Sequence, residues 1–201
     1  MNLQKTAEAL EAKGYGVSVF RTAEEAAGYL NGEIDGTTVG IGGSVTLDQM
    51  GVYESLSAHN QVYWHWRPEE GTEAEGLRRQ AAGADIYLTS VNGLSETGEM
   101  VNIDGSGNRL ASTLYGHKKV YFVIGSNKIE PDLTETIYRV RNVASPKNAQ
   151  RLGCKTPCAA TGDRCYDCRS DERICRAMVI HFEKMLSCDM EVVLVEESLG
   201  Y

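Results

Sequence analysis

Short apolar runs rich in β-branched residues alternate with longer amphipathic stretches along most of the chain. Residues 2–13 read as an amphipathic helix that stops at Gly14, and GVSVF (16–20) reads as a strand. Thr22, with Glu25 three residues on, forms a capping box that opens a second helix. TTVGIG (37–42) is a buried strand running into a glycine turn, 45–57 a helix, VYWHW (62–66) a strand and 71–82 a helix. DIYLTS (85–90) is a strand ending in a polar loop, 99–103 is extended and 108–115 a short helix. KVYFVIG (119–125) is a strand, 131–142 and 174–186 are helices, and MEVVLVEE (190–197) is the last strand. This alternation predicts an α/β fold of βαβ crossovers, with a mainly parallel sheet covered on both faces. No repeat or long linker divides it, so 1–201 reads as one domain.

The alternation fails in one place. From Lys147 to Arg173 apolar periodicity fades into Cys, Arg, Asp, Thr and Pro, and such a stretch cannot bury itself without a cross-link or a metal. Five of the six cysteines crowd into Cys154–Cys175. The chain opens without the apolar run of a signal peptide, has no membrane-length apolar stretch, and so reads as cytoplasmic. Crowded cysteines in such a chain point to metal rather than to a disulfide scaffold, making 147–176 a cysteine-rich metal-binding segment. The net charge of −8 repels a phosphate backbone and argues against nucleic acid as a partner.

The segment reads Cys154-KTP-Cys158-AATGDR-Cys165-YD-Cys168-RSDERI-Cys175. The CxxC at Cys165 and Cys168 lets two thiolates reach one metal site from a tight turn. Cys158 and Cys175, six residues out on either side, complete a symmetric set of four, with Cys154 as spare or substitute. Arg164, Arg169, Arg173 and Arg176 favour thiolate and offset its charge. A [4Fe–4S] iron–sulfur cluster is the leading reading. A structural zinc site on the same ligands, or disulfides and free thiols, are the alternatives, because spacing alone does not separate iron from zinc. Cys188, before the last strand, reads as a small core residue.

Three loops follow strands, where α/β sheets build their ligand crevices. The first places Gly42, Gly43, Ser44 and Thr46 at the start of a helix, where N–H groups and hydroxyls favour an anion. The second holds Asn92, Glu96, Asn102, Asp104, Asn108 and Arg109 among glycines. Glu96 is its candidate nucleophile or general base. The third, GSNKIEPD, offers Asn127 and Lys128 to an anion held by the first. Each loop also has a plainer reading as turn geometry or ordinary surface.

Five stretches, GGSVTLDQMG, TSVNGLSETGEMVNIDGSGNR, VIGSNKI, RNVASPKNAQRL and VVLVEESLGY, occur in an order that resembles the LUD (lactate-utilisation) domain family. The tail TPCAATGDRCYDCRSDERIC is similar to one subgroup of it. The resemblance runs from about Lys5 to Tyr201. It implies a three-layer α/β sandwich similar to the ribose-5-phosphate isomerase and CoA-transferase-like superfamily, with a small carboxylate, phosphorylated or thioester ligand over the glycine loop. By this resemblance Gly42, Gly43, Ser44, Thr46, Asn92, Asn102, Asp104, Asn108 and Asn127, with Gly98 beside them, bind substrate. Glu96, Arg109 and Lys128 take catalytic roles. It also implies lactate-utilisation-like chemistry with an iron–sulfur or redox partner subunit. Electron transfer without catalysis, small-molecule binding with a structural zinc, and a homo-oligomer stay open. The chain departs from the family in having Gly93 after Asn92, where alanine is more frequent.

Overall fold

The computed structural model describes residues 2–201. The amphipathic opening forms α1 (Leu3–Ala12), capped by the Asn2 side chain. Next come β1 (Gly16–Phe20), α2 (Ala23–Glu33) with both bonds of the Thr22–Glu25 capping box, and β2 (Thr38–Ile41). The helix expected over 45–57 divides into α3 (Val45–Gln49) and α4 (Val52–Ser57), because Gly51 takes a left-handed conformation at φ +65°. β3 (Gln61–Trp64), α5 (Ala74–Ala82), β4 (Ile86–Thr89), β5 (Gly93–Ser95), β6 (Met100–Asp104), α6 (Asn108–Ser112), β7 (Lys119–Gly125) and the short β8 (Ile129–Glu130) follow.

The helix expected over 131–142 runs further. α7 (Leu133–Arg139) passes through a π-helical turn, Val140–Ala144, into α8 (Ser145–Arg151). Pro146 has no N–H for an ordinary turn, and the wider π turn accommodates it. After α9 (Pro157–Thr161) the chain is irregular to β9 (Ala177–His181), and β10 (Asp189–Val195) closes the fold. The helix expected over 174–186 is therefore corrected to a strand. Ala177–His181 pairs antiparallel with β6, from Asp104↔Ala177 to Met100↔His181, and its β-branched Val179 and Ile180 suit a pleated surface.

The main sheet has the order β1-β10-β7-β4-β2-β3, and every pairing in it is parallel. Both faces are apolar, as parallel sheets require. On β7, Val120, Phe122 and Ile124 join a core with α1, Leu94 and Met100, while Tyr121 and Val123 join another with α2, α3 and α4. Cys188 packs in the first of these cores. A smaller sheet, β8-β5-β6-β9, covers the first face. The layers are thus helices, a parallel sheet, and a mixed layer of helix and smaller sheet. No helix among the described residues is long and apolar enough to cross a membrane.

Candidate functional site

In the main sheet β2 and β4 are neighbours, but the chain leaves β2 toward β3 and leaves β4 toward β7. Loops that part in this way open a crevice at the carboxyl ends of the strands. Here it is a cavity of 50 Å³. The loop after β2 contributes Gly43, Ser44, Val45 and Thr46, and the loop after β4 contributes Ser90, Val91 and Asn92. Arg109 enters from α6 and Lys128 from the loop after β7. Trp66, Asn148, Arg151, Gly200 and Tyr201 complete the wall.

Lys128 is only 4% exposed. Its Nζ donates to Thr46 Oγ1 at 2.8 Å and Ser90 Oγ at 2.9 Å, and no carboxylate lies within ion-pairing distance among the described residues. Burial, reinforced by the nearby Arg139 and Arg109 guanidiniums, lowers its pKa to about 7. Arg109 is held from behind. Its Nη2 donates to Asn92 Oδ1 at 2.9 Å and to the Ile103 carbonyl at 2.7 Å, and its Nη1 donates to Asn102 Oδ1. Arg151 lies over Trp66, 4.7 Å from the ring centroid, with the Asn148 side chain accepting its Nε and Nη2 at 3.1 and 2.8 Å. Among the described residues, three cations therefore line the crevice, and no Asp or Glu does.

The last residues form part of this wall. Leu199 N–H donates to Asn127 Oδ1 at 3.0 Å and Gly200 N–H to Gln49 Oε1 at 2.7 Å. Gly200 has φ +66°, and a Cβ there would stand 2.6 Å from Thr46 Oγ1 and 3.2 Å from Lys128 Nζ, so only glycine closes the wall this tightly. Arg139, buried beneath, donates to the Asn92, Asn127 and Tyr201 backbone oxygens and straps three segments together.

Of the residues singled out in the sequence, Gly43, Ser44, Thr46, Asn92, Arg109 and Lys128 meet in this wall. Ser44 Oγ accepts Leu47 N–H at 3.3 Å, which leaves its O–H to donate toward a ligand in the wall. With only five residues, α3 lends the crevice little dipole, and the side chains carry the charge. Gly42 sits behind, against Tyr87, Thr89 and Arg109. Asn102 supports Arg109, and Asn127 holds the tail. Asn108 opens α6, and Asp104 accepts Ser106 N–H, both outside the wall.

Glu96 also stands outside the wall. It lies on the turn after β5, where its carboxylate accepts Asn2 N–H at 3.0 Å and pairs with Lys5 at 3.2 Å. These contacts with Lys5 and Asn2 lower its pKa. Trp66, Ser90, Arg139, Arg151 and Tyr201 carried no signal that assigned them to the site. RNVASPKNAQRL holds Arg139's neighbours and Arg151 itself, but only the π turn and α8 bring Arg151 to the crevice.

The cysteines define a second pocket, of 300 Å³. Cys158, Cys165, Cys168 and Cys175 all line it, with Arg141, Arg173, Arg176, Ile103 and Ser145 among their companions, and again no Asp or Glu. Cys154 is not in its wall. Hydrogen-bond donors point at the sulfurs: Asp167 N–H and Arg141 Nη2 at 3.4 and 3.7 Å from Cys165 Sγ, and Arg173 Nη2 at 3.4 Å from Cys175 Sγ. The Thr156 hydroxyl is 3.3 Å from Cys158 Sγ. Among the described residues no three His, Cys, Asp or Glu side chains converge on a single-ion position. The two pockets share their partition. On β6, Asn102 faces Arg109 while the next residue, Ile103, lines the cysteine pocket. On α8, Ser145 lines the cysteine pocket while Asn148 and Arg151 line the crevice.

Fold and crevice together define a mixed α/β domain with a cation-lined crevice at the strand ends of a mainly parallel sheet. The chain belongs to the LUD domain family, whose model matches residues 3–195. A crystal structure of a DUF162 family protein from Deinococcus radiodurans is similar over 96% of this chain and 95% of that one, with a TM-score of 0.55 and 12% identity. At that identity the likeness speaks for the fold. No curated protein matches the sequence.

Proposed function

We propose that this LUD domain binds a small carboxylate or phosphorylated metabolite in the crevice and acts on it as an enzyme or enzyme subunit. One observation carries the reading. In a chain with 28 acidic and 20 basic residues, the crevice gathers Arg109, Lys128 and Arg151, and no Asp or Glu among the described residues lines it. A buried cation without a counter-charge costs several kcal/mol, and an anionic ligand offsets that cost. By the measure that about 10–15 Å³ holds one water, 50 Å³ is room for about four waters, which suits a compact anion. Calorimetric titration with lactate, acetate and inorganic phosphate tests this. Binding that is lost in Lys128→Met supports the site, and equal binding by the variant rejects it.

The cysteine pocket supports a second part of the reading, an iron–sulfur cluster held by Cys158, Cys165, Cys168 and Cys175. The donor set fits: four thiols share one cavity, and their cationic neighbours would offset the charge of four thiolates. Four thiols round one cavity can supply the one thiolate per iron that a cluster takes. When bound, such a cluster supplies one-electron transfer. The N–H groups of Asp167, Arg141 and Arg173 would then tune its potential by donating to ligand sulfurs. This reading implies a redox partner subunit and chemistry of the lactate-utilisation kind. Iron and acid-labile sulfide analysis with electron paramagnetic resonance on anaerobically purified protein checks it; a colourless, zinc-loaded protein overturns it.

A further inference from the structure

We propose that Lys128 is a nucleophile that forms an imine with a small carbonyl compound bearing an anionic group. The inference rests on the reading of the crevice as an anion site and deepens it by naming the substrate class. An ammonium that merely balanced charge inside the protein would be expected beside a carboxylate, as Lys119 is beside Glu191 at 2.8 Å. Lys128 is placed otherwise. It is buried in the cavity wall between two hydroxyls, and among the described residues the charges acting on it are the Arg109 and Arg139 guanidiniums. An amine desolvated beside other cations gives up its proton readily and becomes nucleophilic near neutral pH. The lowered pKa agrees with that placement.

The same wall supplies what the reaction needs. Arg109, whose terminal N–H groups are taken by Ser90, Asn92, Asn102 and Ile103, gives the wall a fixed positive charge that favours the anionic group. The neutral Lys128 nitrogen attacks the carbonyl carbon, forming a C–N bond as the C=O π pair moves to oxygen. The carbinolamine then loses that oxygen as water, and both hydrogens of the water come from the amine. Amine and carbonyl thus give imine and water, with no change of oxidation state. The Ser90 and Thr46 hydroxyls, already bonded to Nζ, are the relay for those two protons. The groups facing Nζ are Thr46 from α3, Ser90 after β4, Arg109 from α6, Arg139 from α7 and the Gly200 backbone.

Borohydride trapping on the full chain tests the proposal, with pyruvate, glyoxylate and glyceraldehyde 3-phosphate as probes. A single reduced adduct that peptide mapping places on Lys128, absent in Lys128→Arg, is the expected result. Trapping is also expected to quicken as pH rises through about 7, where the amine becomes neutral. No adduct on Lys128 with any probe, or adducts spread over the exposed lysines in proportion to their accessibility, overturns the imine. Calorimetry with the same probes, and with lactate and inorganic phosphate, separates the two levels. Binding without trapping overturns the imine and leaves the anion crevice standing, whereas no binding by any of these anions overturns both. Circular dichroism on Lys128→Arg confirms that a missing adduct is not a missing fold.

Discussion

The crevice and the cysteine pocket lie on opposite faces of β6 and share α8, yet they are held in place by different means. The crevice is built on ends of the parallel sheet. Ser44, Thr46, Ser90 and Lys128 are all buried, and the glycine-closed tail and Arg139 lock the loops to one another. The cysteine pocket is six times larger by volume, at 300 against 50 Å³, and its four thiols are only half-buried. Between α9 and β9 its chain has no helix or strand. It hangs on scattered bonds such as Ser170 Oγ to the Lys155 carbonyl, Arg173 to the Cys168 carbonyl, and Arg176 N–H to the Asp104 carbonyl. One site is pre-organised by the hydrophobic core. On the reading proposed above, a bound group would finish the other, whose chain between α9 and β9 has no helix or strand to fix it.

The largest effect should come from removing a thiol. Cys168→Ser is expected to abolish iron loading and to open residues 154–176 to limited proteolysis, while anion binding in the crevice persists. If crevice binding disappears as well, the two sites are not separately held. Next is Lys128→Met, expected to weaken anion binding at least about tenfold, the size of one lost charged hydrogen bond, with iron content unchanged. The same change relieves a buried charge and should raise the stability of ligand-free protein by about 1–4 kcal/mol, read by denaturant unfolding.

The pH dependence follows from the same group. Folded Lys128 releases its proton near pH 7 and unfolded lysine only near 10.5, so the unfolded chain holds more protons between those values. Stability of the ligand-free protein should therefore rise across that window, the cost being full below about 7. Anion affinity should run the other way, falling as pH climbs through about 7, and a flat titration curve would remove Lys128 from the binding step.

Smaller effects test the rims. Arg151→Ala removes one of the cations lining the crevice and should weaken anion binding a few-fold, and loss of its contact with the Trp66 ring should change Trp66 fluorescence. Glu96→Gln should leave both anion affinity and iron content where they were and barely move the unfolding midpoint, because its partner Lys5 is exposed. A large loss of affinity in Glu96→Gln would return that carboxylate to the chemistry.

Much of the scaffold was legible before any coordinates. The runs 119–125 and 190–197 are apolar on both faces and could only be central strands, and the Thr22–Glu25 capping box formed as its spacing predicts. Ala177–His181 misled because a short apolar run reads equally as helix or strand, and the free edge of β6 decided the matter. The loops were also legible as places, since strand ends of an α/β sheet gather ligands. Their individual roles were less so: Asn127 and Asn102 turned out to brace the site rather than to line it.

The sequence by itself determined the parallel sheet, the loops that meet at its carboxyl edge, and the clustering of the cysteines, because each is a property of neighbours along the chain. The tertiary structure alone decided which charges are satisfied. Glu96 finds Lys5 across 91 residues, while Lys128, reaching 82 residues to Thr46, finds hydroxyls and no carboxylate. Coulombic pairing depends on distance in space and on burial, and neither is written in local order. That is why a glutamate that looks reactive in sequence is neutralised beside α1, and a lysine that looks ordinary becomes the unbalanced charge of the crevice.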